Sequence, residues 1–364
     1  MRDKKMIFKK RLLSKNLIGL FIIAISIWAL IGLTSCNNKK AANNGRRVFV
    51  YNWGEYIDPN LVKQFEAETG IEVIYSTFST NEDLYVKFKN GGAKYDLIFP
   101  SEYMLDKMRK EDMLQALDYS KIPNAKYVDK TYMNPSYDPD QKYSLPYFWG
   151  TLGILYNKKM VKDKPQSWTD LWNADYAGNI IMMDSSRDSL GVGLLLEGKS
   201  MNSQNIKDLE RARQRLVDQY PLVYAYLIDQ SKDIMINNEC AMAMMYSGEA
   251  LAAMWENEDL DYVVPKEGSN IWLDLFAIPK GAENIDEAHA FINFFLRPDI
   301  MAKNAEWVGY SIPSDEGRKL LPEDVRDNPV AYPDPQVHNR LESYNDPGKF
   351  IDVYNEYWQD VKNR

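Results

Sequence analysis

The chain has 364 residues, a formal net charge of −8, 13% aromatic residues and two cysteines. Residues 1–35 carry seven basic side chains and one acidic one, so the chain without them has a net charge of −14. Such an acidic body excludes most nucleic-acid binders and suits a host for cations.

The first 36 residues have the features of an export signal. A basic leader precedes the apolar run 17–33, which stops at Leu33-Thr34-Ser35-Cys36. Small residues before a cysteine predict cleavage after residue 35 and attachment of diacylglycerol to Cys36. An uncleaved membrane helix is the alternative, because about 17 apolar residues lie near the lower limit for spanning a bilayer.

The cysteine count agrees with this interpretation. With Cys36 bearing lipid, Cys240 has no partner for an intramolecular disulfide, and we expect it to be a small buried hydrophobic residue. Residues 36–46 are polar and lack an apolar period, so they predict a tether between the lipid and the folded body.

The mature part opens with alternating strands and helices. The pattern predicts a strand over 47–51, a helix begun by Asp58 and Pro59 and ended by Gly70, and a strand over 71–75. A helix over 82–89 and a strand over 95–99 follow. This order is typical of a parallel sheet covered by helices.

A second series of elements follows the first. We expect a crossing strand over 153–156, a short helix over 168–172, strands over 179–183 and 240–245, and helices over 203–216 and from 246 through 255. A strand over 270–277 and helices over 287–295 and 350–362 complete the chain.

These two blocks predict an α/β protein with two lobes and a cleft between them. Each lobe is expected to be a mostly parallel sheet covered by helices. The predicted bounds are 47–149 with 277–313 for lobe 1, and 150–276 with 314–364 for lobe 2. The hinge is expected near 149–152 and 275–278, where the chain crosses between the lobes.

Candidate site residues follow from the strand ends, because ligands of open α/β sheets bind beyond the carboxyl ends of the strands. The selected loops are rich in aromatic and acidic side chains. They contribute Trp53, Glu55 and Tyr56; Ser101 and Tyr103; Asp184, Arg187 and Asp188; Tyr246 and Ser247; and Trp272 and Asp274.

Aromatic faces and carboxylates suit a flexible chain of methylene groups that carries ammonium groups. Structural roles are the competing interpretation. Trp53 and Trp272 could be core aromatics, Asp184 and Asp188 could be helix caps, and Arg187 could orient a neighbouring carboxylate.

Other functions fit the sequence less well. A sugar binder would use more Asn, Gln and Arg beside the acids. A ferric-ion binder would use clustered tyrosines with a histidine or an anion site, and neither His289 nor His338 lies in the selected loops. No motif of a serine, zinc or cysteine hydrolase is present. An oligosaccharide-binding lipoprotein remains the main alternative, followed by a secreted hydrolase and an adhesive lipoprotein.

Several stretches resemble the spermidine/putrescine-binding proteins of ABC importers. These stretches are Tyr51-Asn52-Trp53-Gly54-Glu55-Tyr56-Ile57, Tyr95 to Tyr103, Tyr147-Phe148-Trp149-Gly150-Thr151, Trp272 to Pro279, and Val308-Gly309-Tyr310. The resemblance implies the type II periplasmic-binding-protein fold and a polyamine in the cleft. It implies that the protein is not an enzyme and uses no cofactor or metal.

The resemblance also implies roles for single residues and partners. Trp53, Tyr56, Tyr103, Trp272 and Tyr310 would pack on the ligand, Asp274 would meet an amine, and Ser101 and Glu55 would line one end. The expected partners are a polyamine and an ABC importer permease, as the resemblance implies, and the membrane through Cys36, as the export signal indicates. The acidic charge predicts no nucleic-acid partner, and we expect a monomer. The protein would work outside the cytoplasm, in a periplasm or at a cell surface.

The chain departs from the family pattern at three places. Asp184-Ser185-Ser186-Arg187-Asp188 lacks one carboxylate and has a shortened one, Tyr246 replaces a tryptophan, and Tyr344 stands where a glutamine is usual. These departures leave the choice between spermidine and putrescine open.

Overall fold

The structure is a computed structural model that describes residues 45–91 and 94–364. The predicted signal peptide, Cys36 and the tether up to residue 44 lie outside the described residues. Within the described ranges, no helix is long and apolar enough to cross a membrane. The described elements all belong to one unit, Lys40–Arg364.

Eleven strands join in one continuous sheet in the described part of the chain. They are β1 Arg47–Trp53, β2 Glu72–Phe78, β3 Leu97–Ile98, β4 Leu114–Gln115, β5 Ser144–Asn157, β6 Ile180–Met183, β7 Val223–Leu227, β8 Met242–Tyr246, β9 Leu260–Val263, β10 Ser269–Pro279 and β11 Leu341–Glu342.

The main strand order is β2-β1-β3-β10-β5-β8-β6-β7, with β4 and β11 paired to β10 and β9 paired to β5. Pairing is parallel between β1 and its neighbours β2 and β3, and between β6 and its neighbours β7 and β8. The long strands β5 and β10 run antiparallel to each other. Strand β10 also runs antiparallel to β3, and β5 runs antiparallel to β8. The sheet is therefore mixed, with a parallel group of strands at each end.

Helices cover both groups of strands. They are α1 Pro59–Thr69, α2 Asn81–Lys89, α3 Glu102–Lys110, α4 Ser186–Leu196, α5 Ile206–Gln219, α6 Gln230–Ile236, α7 Ser247–Glu256, α8 Ile285–Phe295, α9 Pro298–Val308, α10 Asp315–Arg318, α11 Glu323–Arg326, α12 Pro335–His338 and α13 Phe350–Lys362. Short 3-10 turns, including Trp168–Trp172, connect them.

Helix α1 shows how local signals set an element's bounds. The Asp58 side chain accepts a hydrogen bond from the backbone N–H of Asn60, and Pro59 takes the first helical position. Gly70 ends the helix in the left-handed conformation, with φ at 69°. These predicted bounds are confirmed.

Strand β5 is longer than the sequence indicated. The sequence predicted a strand over 153–156 only. The structure continues the strand back to Ser144, with all its residues buried. Pro146 is accommodated at an irregularity in the pairing with β10, where a missing N–H costs least.

The hydrophobic core is divided between the two groups of strands. Around β1–β3, Phe65, Phe291 and Phe295 pack in one cluster with the strand residues Val48 and Val50. A separate cluster around β6 and β8 includes residues of α13 such as Tyr354 and Trp358. Each group of strands therefore has its own core, as a two-lobed protein requires. Cys240 is buried, as expected.

Strands β5 and β10 connect the two groups. The first half of β5 pairs with β10 as far as Thr151, and its second half pairs with β8 from Leu152 onward. The predicted hinge segments 149–152 and 275–278 lie within these two paired strands. Hinge motion and the exact lobe bounds stay predictions.

Candidate ligand-binding site

A cavity of ≈ 700 Å³ lies where strands from both groups end. It is lined by eight of the residues that the sequence predicted, supplied by the ends of β3, β6 and β8, by β10 and by the segment after β11. They are Ser101, Tyr103, Asp184, Arg187, Asp188, Tyr246, Trp272 and Tyr344. Residues far apart in the chain therefore meet at one site.

Asp274 lies beside this cavity and is only 6% exposed. Its carboxylate accepts hydrogen bonds from the Tyr56 and Ser101 hydroxyls, each at 2.6 Å. Burial raises the pKa of Asp274 to about 6, although both hydrogen bonds oppose the rise. The two hydroxyls fix the carboxylate's orientation without neutralising its charge.

Asp188 is a second buried carboxylate, 3% exposed. It accepts hydrogen bonds from the hydroxyls of Tyr246 at 3.0 Å and Tyr344 at 3.2 Å. Burial raises its pKa above the usual value. The N-cap of α4 is Ser185, so neither Asp184 nor Asp188 takes the capping role.

Glu102 is a third buried carboxylate, 1% exposed, and it lines the cavity. Its two oxygens accept the backbone N–H groups of Leu273 at 3.0 Å and Tyr344 at 3.3 Å. Burial raises the pKa of Glu102 to about 8. This side chain ties α3 both to β10 and to the segment that carries Tyr344.

Glu249 is a fourth carboxylate, which the sequence analysis did not select. It accepts a hydrogen bond from the Tyr310 hydroxyl, its Oε2 is buried without a partner among the described residues, and burial raises its pKa. The available signal was its position in Tyr246-Ser247-Gly248-Glu249, directly after β8.

Glycine at position 248 permits this contact. A Cβ there would lie 1.8 Å from the Tyr310 ring, closer than atoms can approach. Tyr310 therefore packs directly on the first turn of α7 and reaches Glu249.

Aromatic rings connect these acids. Trp272 contacts Tyr310 and Tyr246 edge to face, with ring centroids 5.1 Å and 6.2 Å apart, and Tyr56 lies 5.6 Å from Tyr310. The Trp272 indole N–H is buried without a partner among the described residues. The rings form an apolar wall between acidic positions, which suits a cationic chain.

Two predicted residues lie away from the cavity. The Trp53 indole donates a hydrogen bond to the backbone carbonyl of Phe99 at 2.8 Å and packs against Phe78. Glu55 is exposed and has a positive φ of 51°. In this conformation neither side chain lines the cavity.

Two other predicted residues are already engaged within the chain. Arg187 stacks over Tyr344 and donates hydrogen bonds to Asn345 and Asn202, and it forms no ion pair within the described ranges. Asp184 accepts hydrogen bonds from Trp358 at 2.9 Å and from the Lys362 ammonium at 2.6 Å.

The buried Glu102, Asp188 and Asp274 and the half-buried Glu249 thus lie at or beside one cleft. None forms an ion pair with a basic side chain in the part of the chain that the structure describes. The described residues also contain no group of three potential ligands that could hold a metal ion. Buried charges are costly without a partner, so the site is arranged to receive a cation from outside.

Known proteins share this sequence and fold. The chain matches the family described as bacterial extracellular solute-binding protein over residues 60–331. It is 39% identical to the spermidine/putrescine-binding periplasmic protein of Escherichia coli K12 over 324 residues, which cover 88% of this chain and 93% of that protein.

Solved structures of binding proteins are similar to this chain in both sequence and fold. PotD, the spermidine/putrescine ABC transporter substrate-binding protein of Streptococcus pneumoniae, has a TM-score of 0.82 and 44% identity, covering 87% of this chain and 98% of that chain. The TpPotD lipoprotein of Treponema pallidum has a TM-score of 0.81 and 30% identity, covering 87% and 100%.

These relatives confirm three predictions from the sequence: the family resemblance, the two-lobed fold of periplasmic binding proteins, and a binding protein rather than an enzyme. The match covers nearly the whole of each relative, so it includes both lobes. The chain belongs to the bacterial extracellular solute-binding protein family, and it resembles the spermidine/putrescine-binding members over most of its length.

Proposed function

We propose that this protein captures a polyamine, spermidine or putrescine, in the cleft between its lobes and delivers it to an ABC importer. One observation carries the proposal: Asp188, Glu249 and Asp274 lie at or beside the cleft, and no basic side chain of the described residues forms an ion pair with them. The names of the relatives support it, because they bind spermidine and putrescine.

Polyamine chemistry matches this arrangement. Each ammonium group can donate to a carboxylate, and one charged hydrogen bond contributes about 1.5–3 kcal/mol net. The methylene segments between the ammonium groups would lie against Trp272, Tyr246 and Tyr103, where the aromatic faces also attract the charge. Two to four such contacts would support binding at about micromolar concentration or tighter.

The proposed roles follow the geometry. Asp274, held by Tyr56 and Ser101, would accept one ammonium group, and Asp188, held by Tyr246 and Tyr344, would accept another. Glu249 is a further acceptor beside Tyr310. Trp53 and Glu55 remain predicted contacts, and Arg187 is proposed to orient Tyr344.

We also propose that Cys36 carries a lipid, which would hold the protein on the outer face of a membrane as a monomer near its permease. The motif ending at Cys36 supports this proposal. A structural relative from Treponema pallidum is itself a lipoprotein, and the Escherichia coli relative is periplasmic. Mass spectrometry of Cys36 in the membrane fraction would test the lipid.

Calorimetry of the Lys40–Arg364 unit, which contains all the described strands, helices and hydrophobic clusters, tests the polyamine proposal. We expect binding heat with spermidine and putrescine and none with maltooligosaccharides. Matched ligands isolate the charge: 1,8-diaminooctane should bind, and 1,8-octanediol should not. Absence of binding to every amine would refute the proposed function.

A further inference from the structure

One acidic residue of the cavity differs from Glu102, Asp188, Glu249 and Asp274. Asp184 follows β6, at the strand end where a ligand carboxylate was expected, but the chain supplies its partners. A single oxygen, Oδ1, accepts both the Lys362 ammonium at 2.6 Å and the Trp358 indole N–H at 2.9 Å. The Lys362 and Asp184 side chains are only 24% and 39% exposed.

Packing holds the Lys362 ammonium in place. Helix α13 lies against α4 and α5 and contributes Tyr354, Trp358 and Val361 to the hydrophobic cluster there. The same helix turns one face to the cavity, which is lined by Ile351, Asn355, Trp358, Gln359 and Lys362. Lys362 is thus anchored by a buried helix and is part of the cavity wall.

A second ammonium group lies along the same cavity. Lys107 also lines it, with its ammonium 4.4 Å from the centre of the Tyr85 ring. Lys107 is five residues into α3 from Glu102, about 7.5 Å along the helix axis. The cavity wall therefore carries fixed positive charges as well as free acids.

We propose that Lys362 is a specificity-determining residue that limits how many ammonium groups a bound ligand can place. Its own ammonium group pairs with the Asp184 carboxylate, as an amine of a ligand would. Only the carboxylates without a basic partner then remain for the ligand. A longer amine would find no unpaired carboxylate there for its extra ammonium group, because Lys362 already pairs with Asp184. The inference rests on the proposed function and refines it: the site favours di- and triamines over linear tetraamines.

Substitutions at Lys362 separate its charge from its size. Lys362→Met and Lys362→Gln remove the ammonium and free Asp184, so we expect the ratio of spermine to spermidine affinity to rise roughly tenfold or more, the effect of one charged hydrogen bond. Lys362→Arg keeps the charge and should keep the wild-type ratio. The double variant Lys362→Met with Asp184→Asn has no freed carboxylate and should also show the wild-type ratio.

Calorimetry with putrescine, spermidine and spermine gives the ratios, and thermal melting shows that each variant is folded. An unchanged ratio in both uncharged variants would overturn the inference, and so would a gain that persists in the double variant. The two proposals fail differently. A wild-type protein that binds no amine refutes the proposed function, whereas amine binding with an unaltered ratio refutes only the role of Lys362.

Discussion

At the scale of single residues, the site combines buried acids with hydroxyl groups that orient them. Asp274 is held by Tyr56 and Ser101, and Asp188 by Tyr246 and Tyr344. Hydroxyls satisfy part of each carboxylate's hydrogen-bonding capacity and leave its charge available. A ligand ammonium group would fill the remaining hydrogen-bonding capacity of each carboxylate, so polyamine affinity should depend strongly on each acid.

Replacing Asp274 tests this dependence. We expect Asp274→Asn to weaken polyamine binding by about 1.5–3 kcal/mol, because it removes one charged hydrogen bond from a desolvated ammonium. Trp272→Ala should also weaken binding, through lost contact with the methylene chain and lost attraction to the cation. Calorimetry gives both values, and the exposed Asp140→Asn serves as the control. Wild-type affinity in both site variants would mean that this wall of the cleft does not contact the ligand.

The raised pKa of Glu102 predicts how the stability of the protein depends on pH. Its pKa is about 8 in the folded protein, whereas the ordinary value for a glutamate is 4.5. Between these values the folded state keeps a proton that the unfolded chain releases. The stabilisation is complete below about pH 4.5 and is lost as the pH rises through about 8, by up to about 1.4 kcal/mol per pH unit.

Glu102→Gln removes this titration, so the variant's unfolding free energy relative to wild type should rise from pH 5 to pH 8.5. Urea unfolding of the ligand-free protein at several pH values measures it. The exposed Glu306→Gln should parallel wild type. A constant difference between Glu102→Gln and wild type would show that Glu102 does not carry a raised pKa.

At the scale of elements, the start of α7 and the segment that follows α9 meet across the cleft through Gly248 and Tyr310. A Cβ at position 248 would overlap the Tyr310 ring, so this contact depends on close backbone approach. The Tyr310 hydroxyl then reaches Glu249 from the opposite side of the cleft.

Gly248→Ala should therefore displace Tyr310 and break its hydrogen bond to Glu249. We expect polyamine affinity to fall at least about tenfold, the effect of one lost charged hydrogen bond, with a smaller loss of melting temperature. The control is the exposed Asp140→Asn, which lies outside the site. Equal affinities for Gly248→Ala and wild type would show that the position of Tyr310 is not needed.

At the scale of the whole molecule, two paired strands, β5 and β10, connect two groups of strands with separate cores. Few backbone connections cross between these groups, so small changes near 149–152 and 275–278 could rotate one lobe against the other. Trp53 and Glu55 lie outside the cavity in this conformation. They remain predicted ligand contacts, and such a rotation would have to bring them to the ligand.

Lobe closure gives a measurable prediction. We expect small-angle X-ray scattering to show a smaller radius of gyration when spermidine is added to the wild-type protein. The Asp274→Asn variant, which should bind spermidine more weakly, should show the smaller radius only at a higher spermidine concentration. An unchanged radius at saturating spermidine would mean that the described conformation already binds the ligand without closure.

Much of the fold could be predicted because its signals are local. Asp58, Pro59 and Gly70 mark the bounds of α1 within a dozen residues, and apolar runs mark β6 and β8. The start of β5 was missed because Pro146 and Gly150 suggest a turn locally, whereas pairing with β10 and complete burial stabilise a strand. The tertiary context outweighed local propensity there.

The same distinction applies to the candidate site. Strand-end position and residue type were enough to select Asp188, Trp272 and Asp274, because ligands bind where strands end. They did not reveal Glu249, whose role depends on Tyr310, 61 residues away. They also could not show that Asp184 is paired with Lys362, 178 residues later.

The sequence by itself predicted the α/β class and the residues at the strand ends, because periodicity, caps and strand-end chemistry are local properties of the chain. Motif stretches such as Trp272 to Pro279 carried the family resemblance. Tertiary structure alone decided which acids are free. A carboxylate's charge is available to a ligand only if folding brings it no cation, and that depends on partners distant in sequence. Asp184 gains Lys362, whereas Asp188 and Asp274 gain only hydroxyls.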